Sequence, residues 1–425
     1  MTRALRSVRS VAVLGIAGLA LTACGGGDSE AGAEASPSES SSSSAAAAGD
    51  GTLTIGSLLP QTGSLAFLGP PEFAGVQLAV DEINEAGGVN DQQVAYITSD
   101  SGDDKTDIAS QSVDRLLGED VDAIVGAASS SVSKLVIDKI TGAGVLQISP
   151  ANTSPDFTDY DDGGLYFRTA PSDVLQGRVL GDQVIADGAL DVAVMALDDD
   201  YGAGLLENVK TSIEAGGGSV VSEQVYDPAA SNYSAEVSEV AAAGAEALVL
   251  IGFDETKRIV PELVNQGIGP ADLPLYLVDG NLADYSADFQ PGTLEGAKGT
   301  LPGAETTTDF RDRLLAVDPA LKDFSYAPES YDAVVLLALS AIAAGDDSGT
   351  AIAGAMEDVS GGGTKCATFT ECRDLLADGE DIDYDGVSGP VEFDGKGDPT
   401  EATIGIYQYG ADNKYTNLDY RAGSL

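Results

Sequence analysis

Five short stretches place hydroxyl, aromatic or acidic side chains directly after apolar, β-branched runs. They are Ser129–Ser131 in "VGAASSSVS", Ala151–Thr153 in "ISPANTSPDFT", Tyr201 in "LDDDYGAG", Phe253 in "LIGFDETK" and Asp279 in "LVDGN". Small hydroxyl residues at the start of a helical pattern add O–H donors to the unpaired N–H groups of a helix N-terminus, a combination that suits an anion. A carbonyl and a carboxylate suit a cation, and aromatic side chains supply an apolar wall. Each residue also has a plainer reading. Serines before a helix are usually N-caps. Tyr201 alone reads as a packing residue, Asp279 before Gly280 and Asn281 as a turn aspartate, and Asp198–Asp200 as solvated surface.

Composition removes several function classes. The 425 residues include no histidine and no tryptophan. Without histidine there is no Ser-His-Asp triad and no His-built zinc site, and the common general base is missing. No carboxylate pair or lysine is placed to replace it, so an enzyme is not expected, nor is a cofactor or a metal. Lys and Arg number 21 against 69 Asp and Glu, a net charge of −48, which speaks against a nucleic-acid partner. A phosphate cradle finds no support, because no glycine-lysine motif follows the strands.

The elements that must position these residues follow a βα rhythm. "TLTIGSLL", "QVAYITS", "DAIVG" and "VLQIS" read as buried strands, each followed by a helix-like stretch. In the first helix Phe73, Val76, Val80 and Ile83 share one face behind Pro70 and Pro71, and the glycines of "EAGGVN" stop it. After Pro171 the rhythm resumes with "DVAVMAL", "GSVVSEQVY", "EALVLIG" and "LPLYLVDG". "APESYDAVVLLALSAIAAG" reads as a long buried helix. Two successive arrays imply an α/β protein with two doubly wound parallel sheets. Such sheets bind ligands at the carboxyl ends of their strands, where the five stretches lie.

The N-terminus has an export signature: Arg3, Arg6 and Arg9, then an apolar run from Val11 to Leu21 that is too short to span a bilayer. It closes on "LTAC", which resembles the lipobox of bacterial lipoproteins. Residues 1–23 are then a signal peptide, Cys24 the lipidated residue, and 24–51 a low-complexity disordered tether that holds the protein outside the cell membrane. No transmembrane span is expected beyond it. In an oxidising compartment Cys366 and Cys372 of "CATFTEC" are expected to pair.

From Thr52 to about Tyr409 the chain resembles the periplasmic branched-chain amino-acid-binding proteins, the substrate-binding components of certain ABC transporters. The motifs that carry the resemblance, in family order, are "IGSLLPQTGSLAFLGPPEFAGVQLAVDEINEAGGV", the two hydroxyl loops, "DDDYGAG" and "SGPVEFDGKGDP". The resemblance implies the type I periplasmic-binding-protein fold: two lobes joined by three crossings, near 168–173, 300–305 and 401–406. Lobe 1 would take 52–170 plus 302–400, and lobe 2 would take 171–301 plus 401–425. It further implies a ligand carboxylate at Ser130 and Thr153 with Ser129 in support, an ammonium at Ala151 O and Asp279, and a wall of Tyr201, Phe253, Leu68 and Phe67. Asp279 stands where well-known members have glutamate, Phe253 where they have tyrosine, and Leu68 where an aromatic is common. The implied function is delivery of a branched-chain or other small apolar amino acid to an ABC permease by a monomer. A short amide, urea or an aromatic acid as ligand, and sensing without transport, stay open beside it.

Overall fold

The computed structural model describes residues 48–425; the expected signal peptide, the expected lipidation residue Cys24 and most of the expected tether lie outside the described residues. The first array opens with β1 (Thr54–Leu59), α1 (Gly69–Glu85), β2 (Ala95–Asp100) and α2 (Ile108–Gly118). It continues with β3 (Ala123–Gly126), α3 (Ser130–Thr141), β4 (Leu146–Ser149) and β5 (Tyr166–Arg168). These strands form one parallel sheet in the order β2-β1-β3-β4-β5.

The second array runs α4 (Asp173–Ala186), β6 (Asp191–Leu197), α5 (Asp200–Ala215), β7 (Ser219–Tyr226) and α6 (Ser234–Ala243). Then come β8 (Ala247–Ile251), α7 (Thr256–Asn265), β9 (Leu275–Leu277) and β10 (Lys298–Pro302). Four helices follow, α8 (Thr308–Val317), α9 (Ala327–Ala344), α10 (Gly349–Ser360) and α11 (Phe369–Ala377). A small parallel pair, β11 (Thr364–Cys366) with β12 (Ile382–Tyr384), flanks α11. The chain ends in β13 (Glu401–Tyr409) and β14 (Tyr415–Ser424). The second sheet has the order β14-β13-β10-β9-β8-β6-β7. Its β6–β10 ladders are parallel, whereas β13 and β14 add as an antiparallel hairpin on β10.

Every strand expected from the two arrays is present, and the α/β class with parallel sheets holds. The physical basis is the two-residue period of a strand buried on both faces. Ile55 and Leu59 of β1 pack with α1 and α9, while Leu58 faces α2 and α3. In α1, Val76, Val80 and Ile83 are buried, and Gly87 and Gly88 take positive φ just past its end. α9 is long and apolar enough to cross a bilayer, yet most of it is buried between α1 and α10, as a core helix is.

Cys366 and Cys372 form a disulfide, which staples β11 to α11. The first sheet thus recruits helices from far along the chain. Between them the chain leaves the first sheet after Arg168, joins the second until Pro302, covers the first with α8–α11, and returns to the second at Glu401.

Candidate functional site

The carboxyl ends of β3 and β4 carry the two hydroxyl loops, and a buried polar web fuses them into one surface. Asn152 Nδ2 donates to Ala127 O (3.0 Å) and Ala128 O (2.9 Å), and Ser149 Oγ donates to Ala127 O (2.7 Å). Tyr166 OH in turn donates to Asn152 Oδ1 (2.8 Å). Gly126 begins the turn at φ +125°, and a Cβ there would strike Leu58 O, so only glycine fits. Ser129 is the N-cap of α3, its Oγ accepting from Val132 N. That frees Ser130, the first helical residue, whose Oγ accepts from Ser154 N at a weak 3.3 Å.

The buried Arg168 anchors the second loop. It forms a two-pronged pair with Asp398 (2.6 and 2.7 Å) and donates to Ser154 O (2.7 Å). Its charge is committed to Asp398, so the donors left at the cleft are neutral hydroxyls and backbone N–H groups.

From the second sheet, the loop after β9 is fixed by Asn281, which accepts from Val278 N and donates to Leu250 O and Thr256 Oγ1. This sets Asp279 in the interior. Its Oδ1 accepts from Tyr201 OH (2.6 Å) and Gln176 Nε2 (2.7 Å), and its Oδ2 from Tyr326 OH (2.7 Å). Burial pushes the carboxyl above the usual aspartate range, and the three donors oppose that by favouring the ionised form. The Tyr201 ring stacks on Phe253 with centroids 5.4 Å apart. A Cβ on Gly280 would meet Gly252 O and the Phe253 ring at 2.8 Å, so glycine keeps this wall close-packed.

These residues line a small cavity of about 10 Å³ between Leu65, Leu68, Ala128–Ser130, Ala151, Tyr201, Phe253, Asp279, Gly280 and Tyr326. That is room for about one water, far below the roughly 300–1,000 Å³ of small-molecule sites, so a ligand needs the cleft to widen around it. Of the residues singled out in the sequence, Ser129, Ser130, Ala151, Tyr201, Phe253, Asp279 and Leu68 line it. Thr153 and Phe67 do not. Thr153 is buried behind the lining with its hydroxyl unpartnered, and Phe67 packs against the core of the second sheet.

Tyr326, Leu65, Ala128 and Gly280 were not singled out. The available signal for Tyr326 was its place just before the proline-led start of α9. Outside the cavity, a more open groove of about 750 Å³ is lined by Asp104, Asp156 and Asp198–Asp200 around Lys134. Here Ser131 Oγ donates to Asp199 Oδ2 (3.1 Å) and accepts from Asp200 N (3.1 Å), while Lys134 pairs with Asp156 and with Asp200 (2.9 Å). α3 and α5 are thereby tied together at the rim.

Comparisons with known proteins bear on the family and the fold. Residues 52–414 match the family described as periplasmic binding protein. A "Leu/Ile/Val-binding protein homolog 1" of Brucella suis is 27% identical over 86% of this chain and 92% of its own. A "chemotactic signal transduction system substrate-binding protein" of Halobacterium salinarum is 27% identical over 80% of this chain and 83% of its own. Among solved structures, the branched-chain amino acid transporter substrate-binding protein LivJ of Streptococcus pneumoniae, in complex with isoleucine, superposes with a TM-score of 0.72. It is 22% identical and is covered over 100% of its length by 88% of this chain.

Proposed function

Because the chain belongs to the branched-chain amino-acid family of type I periplasmic binding proteins, whose members are substrate-binding proteins rather than enzymes, we propose that it captures a small apolar amino acid in the cleft and delivers it to an ABC permease. One observation carries the reading: the cavity has chemically opposite ends. One is the N-terminus of α3, with Ser130 at its tip and no acid in its first turn. The other holds the Asp279 carboxyl. A zwitterion laid between them puts its carboxylate on unneutralised N–H and O–H donors and its ammonium toward an acid. Tyr201, Phe253, Leu65 and Leu68 are left to take an apolar side chain.

Function is then binding, with closure as its consequence. Ligand touching both faces of the cleft favours the closed arrangement by its differential affinity, and the rim contacts of Ser131 and Lys134 form in that arrangement. The lobe boundaries expected from the sequence, 52–170 plus 302–400 and 171–301 plus 401–425, belong to this proposal. So does an extracytoplasmic location on a lipidated Cys24, which rests on the "LTAC" motif.

Isothermal titration of the soluble chain against leucine, isoleucine, valine, urea and benzoate tests the reading. Binding of an amino acid alone supports it. Binding of benzoate or urea with no amino acid bound would replace it with the amide or aromatic-acid alternative. The relative named for chemotactic signalling motivates a sensor reading. Unchanged uptake of labelled ligand by cells lacking the protein, with a lost behavioural response, would select that reading over transport.

A further inference from the structure

Asp173 begins α4, and its side chain has no part in the site as described so far. It is fully buried, as is Gln176 one turn on, and Thr153 is 1% exposed. Backbone and amide contacts hold the three beside the cleft: Asp173 N donates to Thr153 O (2.7 Å), and Gln176 Nε2 donates to Asp279 Oδ1. Yet Asp173 Oδ1 and Oδ2, Gln176 Oε1 and Thr153 Oγ1 have no hydrogen-bond partner among the described residues.

Oxygens buried without partners are costly, and native interiors rarely leave them so. The donors that could serve them are spent: the Tyr201 and Tyr326 hydroxyls and the Gln176 amide all point at Asp279, and Arg168 is held by Asp398. Among the described residues, the one uncommitted donor in this corner is the Thr153 hydroxyl, which lies near Asp173 without hydrogen-bond geometry, and the nearby Arg168 charge is committed to Asp398.

We propose that Asp173 and Asp279 form a paired-carboxyl acceptor for the protonated nitrogen of the ligand, and that the arriving cation displaces a proton held by Asp173. The proposal rests on the amino-acid reading of the cleft. In the free protein Asp279 is the carboxylate, because three donors favour its ionised form, and Asp173, with none, is the neutral acid. When R–NH3+ enters, the Asp173 O–H bond breaks, the proton passes to solvent, and the amine keeps its three hydrogens. The two carboxyls carry −1 before binding; with the ammonium between them they carry −2 and it carries +1.

The surroundings of Asp173 agree. Burial first, then Asp279, holds its carboxyl well above the usual range, and Asp199 adds to this. Arg168 acts in the other direction, as does Thr153, which lies near but without hydrogen-bond geometry. The N-terminus of α4 also favours the anion. Tyr201 and Tyr326 face it as neutral phenols, pushed up by burial and by Asp279. Ligands without a protonated nitrogen leave these acceptors unmet, so Asp173 selects against amino-free acids.

The test has two arms on the soluble chain at pH 7. In the infrared difference between ligand-free wild type and Asp173→Asn, a protonated-carboxyl C=O band is expected in the wild type only. Leucine titrated in buffers of different ionisation enthalpy should give heats that report release of about one proton per ligand. Asp173→Asn, melting no lower than wild type, should bind at least ~10-fold more weakly with buffer-independent heats; Asp173→Ala serves as a second variant if the amide does not fold. Absence of the band overturns the proposal. So do wild-type heats that ignore the buffer, or wild-type affinity in the variants. Failure of the wild type to bind any amino acid overturns the reading of the cleft instead, and the band still reports the carboxyl on its own.

Discussion

α3 and α5 both start at the carboxyl end of a parallel strand, and both point their N-termini toward the same gap. They are finished differently. α3 is capped by the neutral hydroxyl of Ser129, and its first turn contains no acid. α5 is capped by Asp199, whose Oδ1 accepts from Gly202 N (2.7 Å), and Asp200 follows in its first turn. A helix N-terminus carries about half a positive charge. α5 neutralises its own with two carboxylates, while α3 leaves its own for whatever enters the cavity. On the proposed reading of the cleft, the ligand's carboxylate goes to α3, and α5 has a mainly architectural role: presenting Tyr201 and bridging to Ser131.

The strongest way to break this comparison is to give α3 the finish of α5. Ser130→Asp should abolish amino-acid binding, weakening it by at least ~100-fold through direct repulsion of a carboxylate at a desolvated site. Retained binding in a folded Ser130→Asp protein, measured by titration calorimetry, would place the carboxylate elsewhere. Ser130→Ala removes one donor and leaves the helix terminus, so a loss of roughly tenfold is expected, near 1–1.5 kcal/mol.

Asp199→Asn probes the other helix. Burial, with Asp104 and Asp200 adding to it, raises Asp199 from the ordinary 3.8 to about 6. The folded protein therefore holds this proton more tightly than the unfolded chain, so the contribution of Asp199 to stability is largest below pH 3.8. It falls as pH rises through about 6. Asn should flatten that part of the melting-temperature profile between pH 3.8 and 6 while leaving ligand affinity within about threefold. A profile parallel to wild type would reject the assignment. Ser131→Ala should have the smallest effect. It removes a rim hydrogen bond between α3 and α5 and should weaken binding by roughly two- to threefold, seen as faster ligand release in stopped flow.

Much of the site was legible because it is written in local patterns. A strand, a glycine, then small hydroxyls before a helical period locates Ser129 and Ser130 without any knowledge of tertiary structure, and the same reasoning finds Tyr201 and Asp279. The periodic signal is blind, however, to partners distant along the chain. Gln176 and Tyr326 reach Asp279 across 103 and 47 residues, and they sit in segments whose own patterns mark only a crossing and a helix start. Thr153 shows the opposite failure: its hydroxyl type and strand-end position mark it for the cavity, but packing turns it behind the lining, toward Asp173. β5, only three residues long, carries too little pattern to be read at all.

By itself the sequence determined the two βα arrays, the exclusion of histidine chemistry, the pairing of two close cysteines, and the set of strand ends where a ligand could sit. These follow from residue type and short-range period, which need no tertiary partner. The tertiary structure alone decided which of three serines caps α3 and which meets the cleft. It also decided that Arg168 is consumed by Asp398, and that Asp279 is wrapped by donors while Asp173 has none. Those outcomes depend on side chains brought into a low-dielectric interior from distant segments. There the energy of a charge or a donor is set by whichever groups arrive beside it.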